Sequence, residues 1–486
     1  MATMTTDGAE RAHTTDGRAL PSVIQGGMGV AVSSWQLARA VSQTGQLGVV
    51  SGTALDVVLA RRLQDGDPGG DMRRAMDAFP EQAMVHRVLR KFFVEGGKEA
   101  DKPYRPVPKL GTHTTSRALE LAVVANFTEV WLAKEGHDGL VGINFLEKVQ
   151  MATPSAAYGA MLASVDYVLM GAGIPTEIPR LLNQLSRHEA CSLSLHVDGS
   201  TEPFTVGIDP EALTGGGLAP LLRPRFLAIV SAHILAAYLA KDPSTRPDGF
   251  VVEGPVAGGH NAPPRGRLVL DDDGQPVFGP RDEANLAKVA EVGLPFWLAG
   301  GYCTPAHLNQ AMLAGAAGVQ VGTLFALSKE SGLADTLRKE MLNDLAEGKL
   351  EVRTDPLASP TGFPFKVATV PGTQSDETMY EARPRLCDIG HLRVPYERSP
   401  GVVGYRCPSE PVDVYVRKGG KIEDTVGRKC LCNALMANVE LGQTRKDGYR
   451  EEALVTLGAD LAGVTELLAA NPEGWCAADA VGYLVG

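Results

Sequence analysis

Pro295-Phe296-Trp297-Leu298-Ala299-Gly300-Gly301 and Gly318-Val319-Gln320-Val321-Gly322-Thr323 repeat one pattern: a short apolar run that ends in glycine and gives way to a helical-period segment. Apolar runs of this length bounded by glycine read as buried parallel strands. The pattern predicts strands over 295–299 and 319–322, followed by helices over 305–314 and 331–346. Glycines at such strand ends let backbone N–H groups approach an anion closely, and the next helix start adds a favourable field. The Thr323 hydroxyl supplies a further donor.

Upstream, the same rhythm recurs. Strands are expected over 22–25, 47–51, 141–146, 167–170, 226–230 and 249–253, with helices over 34–44, 54–63, 155–164, 177–185 and 232–240. Ser33 or Ser34 is placed to cap the first helix. Residues 190–210 read as a hairpin with an Asp198-Gly199 turn, a separate device on the scaffold. Setting it aside leaves eight β units with helical crossovers, the count that closes an α/β (β/α)₈ TIM barrel. A doubly wound parallel sheet is the competing arrangement. The expected organisation is a flexible tail over 1–20 and a barrel over 21–349. The barrel carries a long, partly helical insertion over 66–138, in which 117–125 is amphipathic. An appended segment over 350–486 ends in a helix around 451–469.

Composition bounds the function. The 486 residues are 44% hydrophobic and 21% charged, an ordinary globular balance. Lys and Arg number 46 against 57 Asp and Glu, a net charge of −11 with no long basic run, which argues against nucleic acid as a partner. The first residues are polar and acidic, unlike a secretory or transit signal. The longest apolar stretch, 226–240, is shorter than the ~20 residues that cross a bilayer. A cytoplasmic, non-membrane protein is expected. Seven cysteines do not suggest a disulfide framework. Cys387, Cys407, Cys430 and Cys432 follow the spacing C-x19-C-x22-C-x-C. Four thiolates could hold zinc or an iron–sulfur cluster, but the usual C-x2-C pairs are missing, so these read first as small buried hydrophobes and no metal is assigned.

A third glycine loop follows the strand at 249–253: Glu253-Gly254-Pro255-Val256-Ala257-Gly258-Gly259-His260-Asn261. It sets an imidazole at the barrel mouth, where barrel enzymes keep their chemistry. A histidine neutral near pH 7 can accept or donate a proton. His86, His113 and His307 read as surface or capping residues, and His233 as a core histidine or one that reaches the pocket. Lys148 lies further along the strand face of Asn144 and is expected either to point inward or to be a solvated loop lysine.

Taken in order, Gln25-Gly26-Gly27-Met28-Gly29, the Glu253–His260 loop, Ala299-Gly300-Gly301 and Gly318–Thr323 resemble the nitronate monooxygenase family, formerly called 2-nitropropane dioxygenase, which includes flavin-dependent enoyl-acyl-carrier-protein reductases. The resemblance covers about residues 20–330. It implies a barrel that binds FMN non-covalently, with Gly27, Met28 and Gly29 along the isoalloxazine and Gly300, Gly301, Gly322 and Thr323 around the phosphate. Asn144, Lys148, Glu253, Gly258 and Gly259 complete the implied cofactor contacts, and His260 matches the family's catalytic histidine. Val256 stands where members often have Glu, Glu253 takes the place of a family Gln, and Asn261-Ala262-Pro263-Pro264-Arg265 is unusual for nitronate oxidisers. The implied activity is oxidation of a nitronate or related carbon acid with O₂. The alternative is NAD(P)H-dependent reduction of an enoyl thioester of a polyketide or fatty-acid pathway. Either way the partner is a small molecule, and a homo-oligomer is expected with the 350–486 segment at the subunit contact. Insertion and tail are expected to restrict the pocket without building it.

Overall fold

The computed structural model describes residues 19–486; most of the expected 1–20 tail lies outside the described residues. Eight strands form one parallel sheet: β1 (Val23–Gln25), β2 (Gly48–Ser51), β3 (Val141–Leu146), β4 (Tyr167–Gly171), β5 (Arg225–Val230), β6 (Gly249–Glu253), β7 (Phe296–Ala299) and β8 (Gly318–Val321). Each pairs in parallel with its neighbours in sequence, and β8 returns to pair with β1, Val23 opposite Val319. The ring closes between β1 and β2, where Gln25 N–H donates to Leu47 O at 2.9 Å and Leu47 N–H to Val23 O at 3.2 Å. This is the (β/α)₈ barrel; a doubly wound sheet would leave two open edges.

Alternation along each strand divides the core. Ile24, Val49, Leu169, Leu227, Val251 and Trp297 fill the barrel interior. Their neighbours in sequence, such as Val23, Val50, Val168, Ala228, Phe250 and Leu298, face the helices. Trp297 Nε1 donates to Pro21 O at 2.8 Å, satisfying its one polar group at the N-terminal end of the strands.

The stretch between β2 and β3 is less of an insertion than its length suggests. Its long helix α1 (Ser116–Lys134) is buried on nearly every side, packed against the helices Trp35–Ser42, Leu55–Gln64, Asp71–Asp77 and Thr153–Leu162. The amphipathic reading of 117–125 is therefore corrected to a core helix that serves as a crossover. The hairpin forms from Cys191–Leu195 and Phe204–Ile208, but Asp198-Gly199 is not its two-residue turn. The connection is longer, and Asp198 bonds instead to the tail, donating to Pro395 O at 3.0 Å and accepting from Glu397 N at 2.8 Å.

The tail is woven into the barrel. Trp475 is fully buried and donates from Nε1 to Leu324 O at 2.8 Å. Its last helix, α2 (Ala477–Val485), packs against Trp35–Ser42 and Pro305–Leu313 in the outer ring. The helix expected from 451 starts only at Ala462. The residues before it run extended because their backbone groups are engaged elsewhere: Val455 O accepts from Ala368 N, Gly458 N–H donates to Thr323 Oγ1, and Ala459 N–H donates to Val256 O, each at 2.9 Å. Among the described residues, no helix is long and apolar enough to cross a membrane.

Candidate active site

At the C-terminal ends of the strands the glycine loops surround a cavity of about 440 Å³. That is within the range of cofactor and small-ligand sites. Gly27, Met28, Gly29, Asn144, Glu253, Gly258, Gly259, His260, Gly300, Gly301, Gly322 and Thr323 all line it. Lys148 does not. β3 ends at Leu146, and Lys148 sits in the following 3₁₀ turn, its ammonium 5.0 Å from the Phe363 ring centre and 3.6 Å from Glu147. Strand alternation therefore no longer governs its direction. His233 begins the helix His233–Lys241 and accepts from Asn285 N–H at 3.3 Å through Nδ1, away from the cavity.

The loop after β1 is pinned from beneath. Ser33 Oγ accepts from Met28 N–H and donates to Gly26 O, both at 2.8 Å, and Gln25 Nε2 also reaches it at 2.8 Å. Ser51 Oγ donates to Gly29 O at 2.6 Å. Gly27 must be glycine, since a Cβ there would lie 2.3 Å from Asn144 Cβ. Across the mouth, Gly300 and Gly301 have φ of +80° and +87°, a conformation side chains resist.

His260 is held by the tail. Its Nε2 lies 2.7 Å from Ser359 Oγ, which contacts Thr361 Oγ1 at 2.8 Å. Phe365 meets the ring edge-on at 4.9 Å. Backbone bonds fix the loop on both sides: Lys366 N–H donates to Gly259 O and Asn261 N–H to Pro364 O, both at 2.9 Å. Gly259 N–H donates to Thr456 Oγ1 at 2.8 Å. Burial, with the nearby Lys148 charge, pushes the imidazole down to about 4. Burial alone raises Glu253 to about 8. At neutral pH the site thus holds a neutral imidazole and a largely protonated carboxyl.

Ser359, Phe363, Phe365, Leu392, Thr456 and Gly458 belong to the 350–486 segment and either line the cavity or bond to its walls. The expectation that the tail does not build the pocket is corrected. The 66–138 stretch, by contrast, contributes nothing to the lining. No sequence motif marks Ser359 or Thr456; their roles follow from side-chain contacts with the loop at 258–260, about 100 and 200 positions away in sequence.

Residues 223–355 match the family model of nitronate monooxygenase. Over 212 residues the chain is 26% identical to the (3aS,4S,5R,7aS)-5-hydroxy-7a-methyl-1-oxo-octahydro-1H-indene-4-carboxyl-CoA dehydrogenase of Mycobacterium tuberculosis, covering 39% of this chain and 55% of that protein. Similar solved structures include FabK from Thermotoga maritima, at 16% identity and a TM-score of 0.47 over 96% of this chain and 91% of that one. Another is a nitroalkane oxidase from Streptomyces ansochromogenes, at 16% identity and a TM-score of 0.42 over 96% and 94%. Residues 223–355, the stretch that matches the nitronate monooxygenase model, hold His260 and the cavity-lining Gly258, Gly259, Gly300, Gly301, Gly322 and Thr323.

Proposed function

We propose that this protein is an FMN-dependent oxidoreductase that oxidises a nitronate or related carbon acid, with O₂ as final oxidant and His260 as the residue that faces the substrate's acidic centre. The observation that carries this reading is a neutral imidazole held at the mouth of a glycine-lined cavity by Ser359 and Phe365.

The residues present fit FMN. Asn144 Oδ1 and Gln320 Oε1 are buried without a protein hydrogen-bond partner, and both residues line the cavity. Buried acceptors of this kind call for donors, which the polar edge of an isoalloxazine has. Gly27 to Gly29 offer a flat, side-chain-poor wall for the ring. Gly300, Gly301, Gly322 and Thr323 form the anion-compatible end. There Thr323 Oγ1 already accepts from Gly458 N–H, so its own proton is available to a phosphate oxygen. When bound, FMN supplies a two-electron acceptor next to the substrate.

The remaining steps belong to the protein. His260, neutral at pH 7, can take a proton from a carbon acid or hold the resulting anion by a hydrogen bond. Ser359 fixes one ring nitrogen, leaving the other to act. Glu253, protonated at neutral pH, can donate a hydrogen bond without adding a negative charge beside an anionic substrate. The tail covers the mouth and limits water.

A second reading is NAD(P)H-dependent reduction of an enoyl thioester. It is favoured by the relative from M. tuberculosis, whose name is that of a dehydrogenase of a carboxyl-CoA, a thioester substrate. Anaerobic stopped-flow mixing separates the two. Flavin bleaching by a nitroalkane anion, with indifference to NADPH, supports the carbon-acid reading. Rapid bleaching by NADPH and none by the nitronate replaces it with the reductase.

A further inference from the structure

We propose that Cys387, Cys407, Cys430 and Cys432 form a four-thiolate site for an iron–sulfur cluster, set against the wall of the barrel cavity. Four of the seven cysteines, drawn from three segments of the tail, line one small enclosed cavity. Its other walls include Leu386, Leu392 and Leu431. All four are free thiols. Chance burial of small hydrophobic cysteines does not explain why four side chains from separate segments converge on one void.

Spacing selects the ligand class. A tetrahedral zinc site, with Zn–S of ~2.3 Å, holds its sulfurs about 3.8 Å apart and leaves no space among them. Here no three of these four sulfurs lie within 4.8 Å of one another; among the described residues the grouping that meets that limit is Cys303, His307 and Asp460. The tail thiols instead enclose a void of about 10 Å³, room for roughly one water-sized sphere at its centre. Sulfurs spread around a central void suit a polynuclear core, in which each thiolate is a terminal ligand of one iron and the irons lie apart from one another across the core.

The surroundings match a negatively charged, sulfur-ligated group. Asn433 points Nδ2 at Cys430 Sγ at 3.6 Å, and its backbone N–H faces the same sulfur. The backbone N–H groups of His391 and Leu392 face Cys432 Sγ. Such donors are weak partners for a thiol and strong ones for a cluster-bound thiolate, whose potential they tune. Lys109 and Arg393 act on Cys387, and Arg383 on Cys430, with Glu410 and Glu451 as the nearby acids. Leu392, Leu431 and Cys432 line both this void and the barrel cavity, so a cluster here would share a wall with the active site.

The test uses the full chain, reconstituted anaerobically with ferrous iron, sulfide and dithiothreitol and then desalted. The expected result is iron and acid-labile sulfide in equal amounts, about two to four of each per chain, with an EPR signal after dithionite reduction. Cys387→Ala and Cys407→Ala, two of the three positions that do not line the barrel cavity, should each lower bound iron at least fivefold. Because a variant can lose iron by misfolding, the wild-type protein also decides the matter alone. Chelation of the reconstituted protein should expose four thiols that were unreactive before it. Wild type that keeps no iron and sulfide, that holds zinc without sulfide, or that carries a Cys387–Cys407 disulfide overturns the proposal. None of these outcomes depends on which substrate the barrel oxidises.

Discussion

In the function proposed above, His260 meets the substrate, and its surroundings give it an unusual acid–base profile. An ordinary histidine loses its neutral form below about pH 6.5. This one is held at about 4, chiefly by burial and then by Lys148. If the neutral ring accepts the substrate proton, flavin reduction should stay flat from neutral pH down to about 5 and fall only near 4, as read by anaerobic reduction rates. A limb near 6.5 would contradict the role. His260→Ala should retain flavin yet slow reduction by about 10²–10⁴-fold, normalised to bound FMN. Ser359→Ala removes one hydrogen bond from the ring, worth ~1 kcal/mol, so a loss of about fivefold in kcat with unchanged KM is expected. Glu253 makes the opposite prediction for stability. Its folded carboxyl is raised from the usual 4.5 to about 8, so between those values the folded chain keeps a proton the unfolded chain has released. Stability should fall as pH rises through that window and level off above it. Glu253→Gln should flatten this slope in thermal melts recorded from pH 4.5 to 9.

The glycine loops are alike in sequence and unlike in backbone, which separates their mutational tolerance. Gly301 has φ of +87°, and a Cβ there would meet Val256 at 3.1 Å. Gly301→Val is therefore strained whatever the cavity holds, and should abolish FMN retention after gel filtration. Gly322 has an ordinary φ of −106°, and its Cβ would meet only the flexible Met28 Sδ at 3.3 Å. Gly322→Ala should weaken FMN binding by less than about tenfold. Equal effects at the two positions would remove the backbone argument. The same contrast shows what is readable in a sequence. β3 and β6 match their expected limits to the residue because buried parallel strands are near-continuous apolar runs, closed here by Glu147 and by Gly254. The cavity's glycines and His260 were legible for the same reason. The extended run before Ala462 was not. Residues 455–459 lie inside the helix expected from 451, but their backbone bonds go to Ala368, Thr323 and Val256, partners that only tertiary structure supplies. Lys148 was misplaced because β3 turns into a 3₁₀ segment one residue before it.

At the scale of the whole molecule, barrel and tail share one core, and this ties stability to the proposed cofactor site. Val464, Leu467, Trp475, Ala480 and Leu484 join the hydrophobic cluster of the barrel's outer helices. Trp475 is fully buried, and its Nε1 donates to the carbonyl of Leu324, next in sequence to Thr323. Gly458, from the same tail, donates to Thr323 itself. The end of the cavity that should hold a phosphate is thus set by residues over a hundred positions downstream of its glycines. Trp475→Ala leaves a hole that truncation of a buried tryptophan makes worth about 3–5 kcal/mol. In a chain of this length that lowers Tm by only a few degrees, about 3–5 °C. The informative quantity is the coupling. If the tail positions Thr323, Trp475→Ala should weaken FMN binding by about tenfold or more while His260→Ala does not. Trp475→Phe, which keeps most of the volume and loses only the N–H, should fall between. Binding can be followed by quenching of flavin fluorescence on titrating FMN into stripped protein. If Trp475→Ala melts lower but binds FMN as tightly as wild type, the tail contributes stability alone, and the cofactor site is complete within the barrel.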